Sequence, residues 1–215
     1  MNFWQYVSSR HQQLLTDAYQ HASVVFQCMV VATLIGVVIG VVTCHSDWAG
    51  GVATTTTSTI LTIPSLAMIG LLIPIVGLGV PPTVIALTLY GLLPIVRNAI
   101  VGLRGVDPAL VDAAKGIGMS GPARLLKVEL PLAWPPILTG IRGSTQMLRG
   151  IAAIAAYASG PGLGNEIFRG LASLGSRNAL NQVLAGTIGI IILALLFDAA
   201  YVLIGRLTIP RGIRA

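Results

Sequence analysis

Apolar residues in this chain come in long blocks separated by short polar clusters. Between Asp17 and Asp47 there is no formal charge, and Ala22 to Cys44 is nearly all apolar. A helix of about 20 apolar residues crosses the hydrocarbon core of a bilayer, so residues 22–44 predict one span. The 49 uncharged residues between Asp47 and Arg97 are too many for one crossing, given about 1.5 Å of rise per residue. The run Gly77-Leu78-Gly79-Val80-Pro81-Pro82 divides them, because glycine frees the backbone and Pro-Pro does not continue a helix. Spans are therefore expected over 52–76 and 82–101. A polar stretch from Arg104 to Trp134 precedes a fourth apolar block at 136–159, which Gly160-Pro161-Gly162-Leu163-Gly164 ends. A polar connection with Glu166, Arg169 and Arg177 leads to a fifth block at 182–205. The expectation is an all-α membrane bundle of about five spans.

Composition agrees. With 13 Lys/Arg and 7 Asp/Glu the chain is 9% charged, against roughly 25% for a soluble domain. Hydrophobic residues make up 54%, and mean hydropathy is +0.84. So few charges do not cover a soluble surface, and disorder needs the opposite balance. Cys28 and Cys44 both sit in apolar sequence and read as small buried hydrophobes rather than a disulfide framework. Residues 1–21 mix apolar and polar side chains, which suits an external or interfacial amphipathic segment. They lack a basic n-region, so a signal peptide is not expected.

Basic residues set the orientation. In a five-span chain, Arg104, Lys115, Arg124 and Lys127 share a side with Arg206, Arg211 and Arg214, whereas Arg10, Arg169 and Arg177 lie opposite. This puts the loop 104–134 and the tail 206–215 in the cytoplasm and the N-terminus outside. Trp48 and Trp134 fall at the cytoplasmic boundaries, where an indole is favoured. The net charge of +6 is then a topology signal. Nucleic-acid binding needs a clustered basic face with aromatics, and the sequence has none.

The cytoplasmic loop carries the specific pattern. Asp107-Pro108 starts a helix, the carboxylate capping free amides and the proline fitting the first position. Gly116 and Gly118 end it. Ser120-Gly121-Pro122 starts a second short helix through Arg124 to Leu130, and Pro131 is expected to stop it. This helix-turn-helix is too polar for lipid and too short to fold alone, so a cytoplasmic partner protein is expected to cover it.

Within the loop, Asp112-Ala113-Ala114, three residues, Gly118, nine residues, Val128, one residue, Leu130-Pro131 keeps one register over twenty residues. It resembles the E-A-A loop of the permease subunits of bacterial ABC importers, with Asp for Glu at 112 and Val for Ile at 128. Ile63-Pro64-Ser65-Leu66, the Gly77–Pro82 break, Tyr90 to Asn98 and Ala114 to Ser120 look like the branch that imports glycine betaine, carnitine, choline and related quaternary amines. The resemblance implies a multi-pass permease of the inner (plasma) membrane. It also implies that Asp112, Ala113, Ala114, Gly118, Leu130 and Pro131 couple the chain to ATPase subunits. ATP and Mg would be bound by that partner, with no cofactor in this chain, which has no G-x-x-x-x-G-K-[ST] phosphate loop. Five spans are too few to enclose a pathway, so the implied assembly adds a second permease chain (the same or a paralogue), two ATPases and an extracytoplasmic substrate-binding protein, all in lipid. A permease for methionine or another amino acid shares the loop and is the alternative cargo class.

A membrane-embedded enzyme is the competing class. Gly118-Met119-Ser120-Gly121 matches the G-x-S-G of intramembrane serine proteases. A nucleophilic serine needs a base at membrane depth, and the histidines are only His11, His21 and His45. Ser120 reads better as a helix cap, so no catalytic residue is expected, and no cluster has metal-ligand spacing. Gly36 and Gly40 form a helix-contact face; Thr54 to Thr57 can bond their own upstream carbonyls, which suits helix packing, with pathway lining as the alternative. In the fourth block Arg142 is near enough to the cytoplasm to snorkel. Gln146 and Arg149 lie deeper and one turn apart, which makes them candidates for lining the pathway or for structural packing and subunit contact; Arg149 would meet either Asp198, of the same or a second chain, or a substrate carboxylate.

Overall fold

The computed structural model describes residues 2–209, and every element within that range is helical. Arg211 and Arg214 of the expected cytoplasmic tail lie outside the described residues. The first element, α1 (Phe3–Thr43), is one helix of 41 residues, about 60 Å long by helix rise. Asn2 caps it, its Oδ1 accepting from Gln5 N at 2.8 Å while Gln5 Oε1 accepts from Asn2 N at 3.1 Å. From Phe3 onward the N-terminal segment is thus continuous with the first apolar block, not a separate interfacial piece. Asp17, His21, Val25, Cys28, Ala32, Gly36 and Gly40 form its buried stripe at three- and four-residue spacing.

That stripe seats on α4 (Val80–Arg104). A Cβ added at Gly36 would lie 2.7 Å from Ile95 Cγ2, and one at Gly40 2.5 Å from Ala99 Cβ. The G-x-x-x-G pair therefore marks the closest approach of two helices, as expected. On its other side α4 packs against α7 (Leu130–Ala155), where a Cβ at Gly140 would meet the Pro94 carbonyl oxygen at 2.6 Å. Backbone cannot yield as a side chain can, so this contact fixes the α4–α7 separation.

The second apolar block is bent. Helices α2 (Asp47–Thr62) and α3 (Ser65–Val76) meet at 92° rather than forming one straight span over 52–76. Pro64 has no N–H to continue the ladder, and it holds Ile63 extended at φ −68°, ψ 126°. The Tyr90 hydroxyl donates to the freed Ile63 carbonyl at 2.6 Å. In α2 the threonines bond locally, Thr54 to the Gly50 carbonyl and Thr57 to that of Ala53, both at 2.8 Å.

After α4 come α5 (Pro108–Gly116) and α6 (Gly121–Arg124), which runs through a π-turn (Leu125–Glu129) straight into α7. Pro131 does not stop this helix, and the fourth block begins before Pro136. The Leu130 N–H reaches back five residues to the Leu125 carbonyl, opening a wide turn just ahead of the proline. Pro131 then sits in the first turn of α7, where its missing N–H is tolerated. A short 3-10 turn (Ala156–Ala158) ends at Ser159 with φ +60°, before α8 (Gly164–Ala172) and α9 (Ala179–Thr208). Among the described residues α1, α4 and α9 are each long and apolar enough to cross a membrane, and the bent α2–α3 pair makes a fourth candidate. Helix α7 has the length, but Arg142, Gln146 and Arg149 lower its hydropathy, and it is sheltered by α1, α4 and α9.

Candidate functional site: the loop around α5

Asp107 caps α5 as expected, its Oδ1 accepting from Ala109 N at 2.8 Å. Asp112 and Lys115 pair at 2.9 Å on the exposed side. The two alanines face different ways. Ala113 is exposed, whereas Ala114 is buried against its own chain. Only the first is open to a partner; the second lets α5 lie close to the π-turn beneath it. Gly118 closes the helix at φ +82°, with its N–H on the Lys115 carbonyl at 2.9 Å and Met119 N on that of Ala114 at 3.1 Å. Ser120 stands at the N-cap of α6 but makes no side-chain capping bond.

Leu110 and Ile117 are exposed on α5, Ile117 at 79%. Ala113, Ile117, Lys127, Val128 and Pro131 border an open hollow of about 510 Å³ beside them. Leu130 is half-buried and Pro131 exposed. Of the six candidate loop residues, Ala113, Ala114 and Pro131 border this hollow, while Asp112, Gly118 and Leu130 do not. Among the described residues no three His, Cys, Asp or Glu converge as metal ligands.

One member escaped the sequence reading. Arg104 closes α4 by donating to the Cys44 carbonyl at 2.8 Å and the Ser46 carbonyl at 3.0 Å, and it meets Asp47 at 3.0 Å. It ties the α1–α2 turn to the segment that enters α5.

The candidate pathway residues are not brought together. Arg149 is buried between α7 and α9, donates to the Ala194 carbonyl and lies 6.0 Å from the Phe197 ring centroid. His21 Nε2 donates to the Arg149 backbone carbonyl at 3.2 Å. Gln146, one turn away, is exposed where Arg149 is buried. Asp198 pairs with Arg142 at 3.4 Å, not with Arg149. The helices run antiparallel, so a residue farther along α9 meets one earlier in α7. Arg149→Ala combined with Asp198→Ala is therefore expected to give about the same folded yield as Arg149→Ala alone, because the Arg142 side chain is 45% exposed and turns to water when Asp198 is removed. Fluorescence size-exclusion yields of the single and double variants check this.

A second cluster joins α1 to α8. The Tyr6 hydroxyl donates to Glu166 Oε2 at 2.6 Å, and Arg169 meets Glu166 Oε1 at 2.7 Å. Asp17 is buried on the same α1 stripe.

The family described as binding-protein-dependent transport system inner membrane component matches residues 32–209. The chain is 35% identical over 210 residues to the choline transport system permease protein OpuBB of Bacillus subtilis (strain 168), covering 98% of this chain and 95% of that one. It is 37% identical over 206 residues to the osmoprotectant import permease protein OsmW of Salmonella typhimurium, covering 94% of each. Among solved structures, an inward-facing MetNI methionine ABC transporter chain superposes with a TM-score of 0.77 at 20% identity, covering 91% of this chain and 95% of that one. That likeness speaks to fold alone.

Proposed function

The chain belongs to the binding-protein-dependent transport inner-membrane family and is the permease component of an ABC importer, and we propose that its cargo is a small quaternary amine such as choline, glycine betaine or carnitine. The observation that carries this is near-full-length similarity to permeases named for those compounds, at 34% identity over 202 residues for the Bacillus glycine betaine/carnitine/choline permease OpuCB. The methionine likeness is confined to fold at 20% identity, and so ranks second.

In this reading α5 docks on an ATPase subunit that binds ATP and Mg, with Asp112, Ala113 and Gly118 at the contact and Leu130-Pro131 behind it. The loop and C-terminus face the cytoplasm and α1 begins outside. Two permease chains enclose the pathway, and an external binding protein delivers the cargo. The α2–α3 break supports a pathway on that side, because irregular backbone at membrane depth persists where protein or a watery cavity covers it. Exposed Gln146 is a pathway candidate, whereas Arg149 and Asp198 serve α7–α9 packing.

Uptake by vesicles holding the permease, its ATPase and its binding protein tests the cargo. Labelled choline, betaine and carnitine should accumulate with ATP, and methionine should not. Methionine uptake without choline or betaine uptake would reverse the assignment.

A further inference from the structure

The π-turn carries an ion pair that an ordinary helix cannot make. Arg124 Nε meets Glu129 Oε1 at 2.7 Å. These residues are five apart. At about 100° per residue in an α-helix, positions i and i+5 point some 140° away from each other, and only i+3 and i+4 are neighbours. In a turn closed by i→i+5 hydrogen bonds they come back onto one face. The bond from Leu130 N to the Leu125 carbonyl spans the same interval one residue on. The π-turn is thus what brings the two side chains within reach of each other.

The pair is also enclosed. The Glu129 side chain is 7% exposed and that of Arg124 21%. Within this chain α5 packs on the π-turn and α6, the two elements that carry the pair. Directly after it, α7 runs 26 residues without interruption. Displacement of α5 reaches α7 through these five residues, and without the ion pair the wide turn would be freer to flex. Flexing there would absorb the movement before it reaches α7.

We propose that the Arg124–Glu129 pair is a positioning device that holds the π-turn rigid, so that movement of the ATPase-facing helix α5 is passed to α7. The inference rests on the reading of α5 as the docking helix.

The test uses the complete transporter in vesicles, with ATP hydrolysis, choline uptake and ATPase co-purification measured on one preparation. Arg124→Gln and Glu129→Gln should each leave the ATPase bound and hydrolysing while uptake per ATP falls about tenfold. The exchange Arg124→Glu with Glu129→Arg rebuilds the pair and should restore at least half of the wild-type ratio. Wild-type uptake per ATP in the single variants overturns the proposal. So does an exchanged chain that fails to insert or stays uncoupled, because the pairing is then not what matters. Ala113→Trp separates the two readings: it should abolish co-purification, and an ATPase that stays bound refutes the docking of α5 rather than the joint.

Discussion

Gly118→Val should lower ATP-driven uptake at least tenfold while the chain still inserts in the membrane, and Gly118→Asn should stay close to wild type. A Cβ at this position meets nothing within 4 Å, so space is not the issue. The backbone is, because φ is +82°. A left-handed residue with a side chain costs about 1–2 kcal/mol, more if β-branched, whereas asparagine visits this region readily. Since 1.4 kcal/mol is about a factor of ten in an equilibrium, valine would mostly displace the Gly118 and Met119 amides from the end of α5. The exposed face of Leu110, Ala113 and Ile117 would then lose its fixed orientation. Uptake in vesicles holding equal amounts of inserted permease checks it. Valine and asparagine variants with the same uptake would show that the conformation of Gly118 is irrelevant to coupling.

Much of this site was legible because its information is local. Asp107-Pro108 and Gly118 dictate the ends of α5 through caps that act within four residues, and the apolar blocks dictate helices through burial. What was not legible depends on partners far along the chain. Charge content alone paired Arg149 with Asp198, the one acidic residue in a predicted span, yet antiparallel packing brings Arg142 to it. Residues 1–21 looked interfacial because Arg10, His11, Gln12 and Gln13 interrupt the apolar side chains, whereas Tyr6 meets Glu166 of α8, some 160 residues away, and His21 meets α7 and the Gly162 turn. Pro131 looked like a stop because a proline normally disrupts an α-helix. A π-turn removes that conflict, and no residue pattern announced it except Arg124 and Glu129 at a spacing meaningless in an α-helix. Pro64 was visible in the second apolar block, but its hydrophobicity hid a right-angled bend.

Of all charge removals on the side opposite the coupling loop, Arg169→Ala should be the most damaging, and clearly more so than removal of the acid it pairs with. Glu166 is fully buried, its side chain 1% exposed, whereas that of Arg169 is 45% exposed. Loss of the guanidinium leaves a buried carboxylate with one hydrogen bond, from Tyr6, and with the buried Asp17 on the facing helix. Stranding a buried charge typically costs about 3–5 kcal/mol. Glu166→Gln is the milder change. The amide oxygen still accepts from the Tyr6 hydroxyl, the buried charge is gone, and the half-exposed Arg169 turns to water, where a surface pair is worth about 0–1 kcal/mol. The double variant Arg169→Ala with Glu166→Gln should therefore be more stable than Arg169→Ala alone. Denaturation midpoints in detergent order the three variants. Because the cluster pins α1 to α8, unfolding in Arg169→Ala should begin there, with the first twenty residues becoming open to protease before the α1–α4–α7 core. A midpoint for Arg169→Ala at or above that of Glu166→Gln would mean that Glu166 is not held as a buried charge.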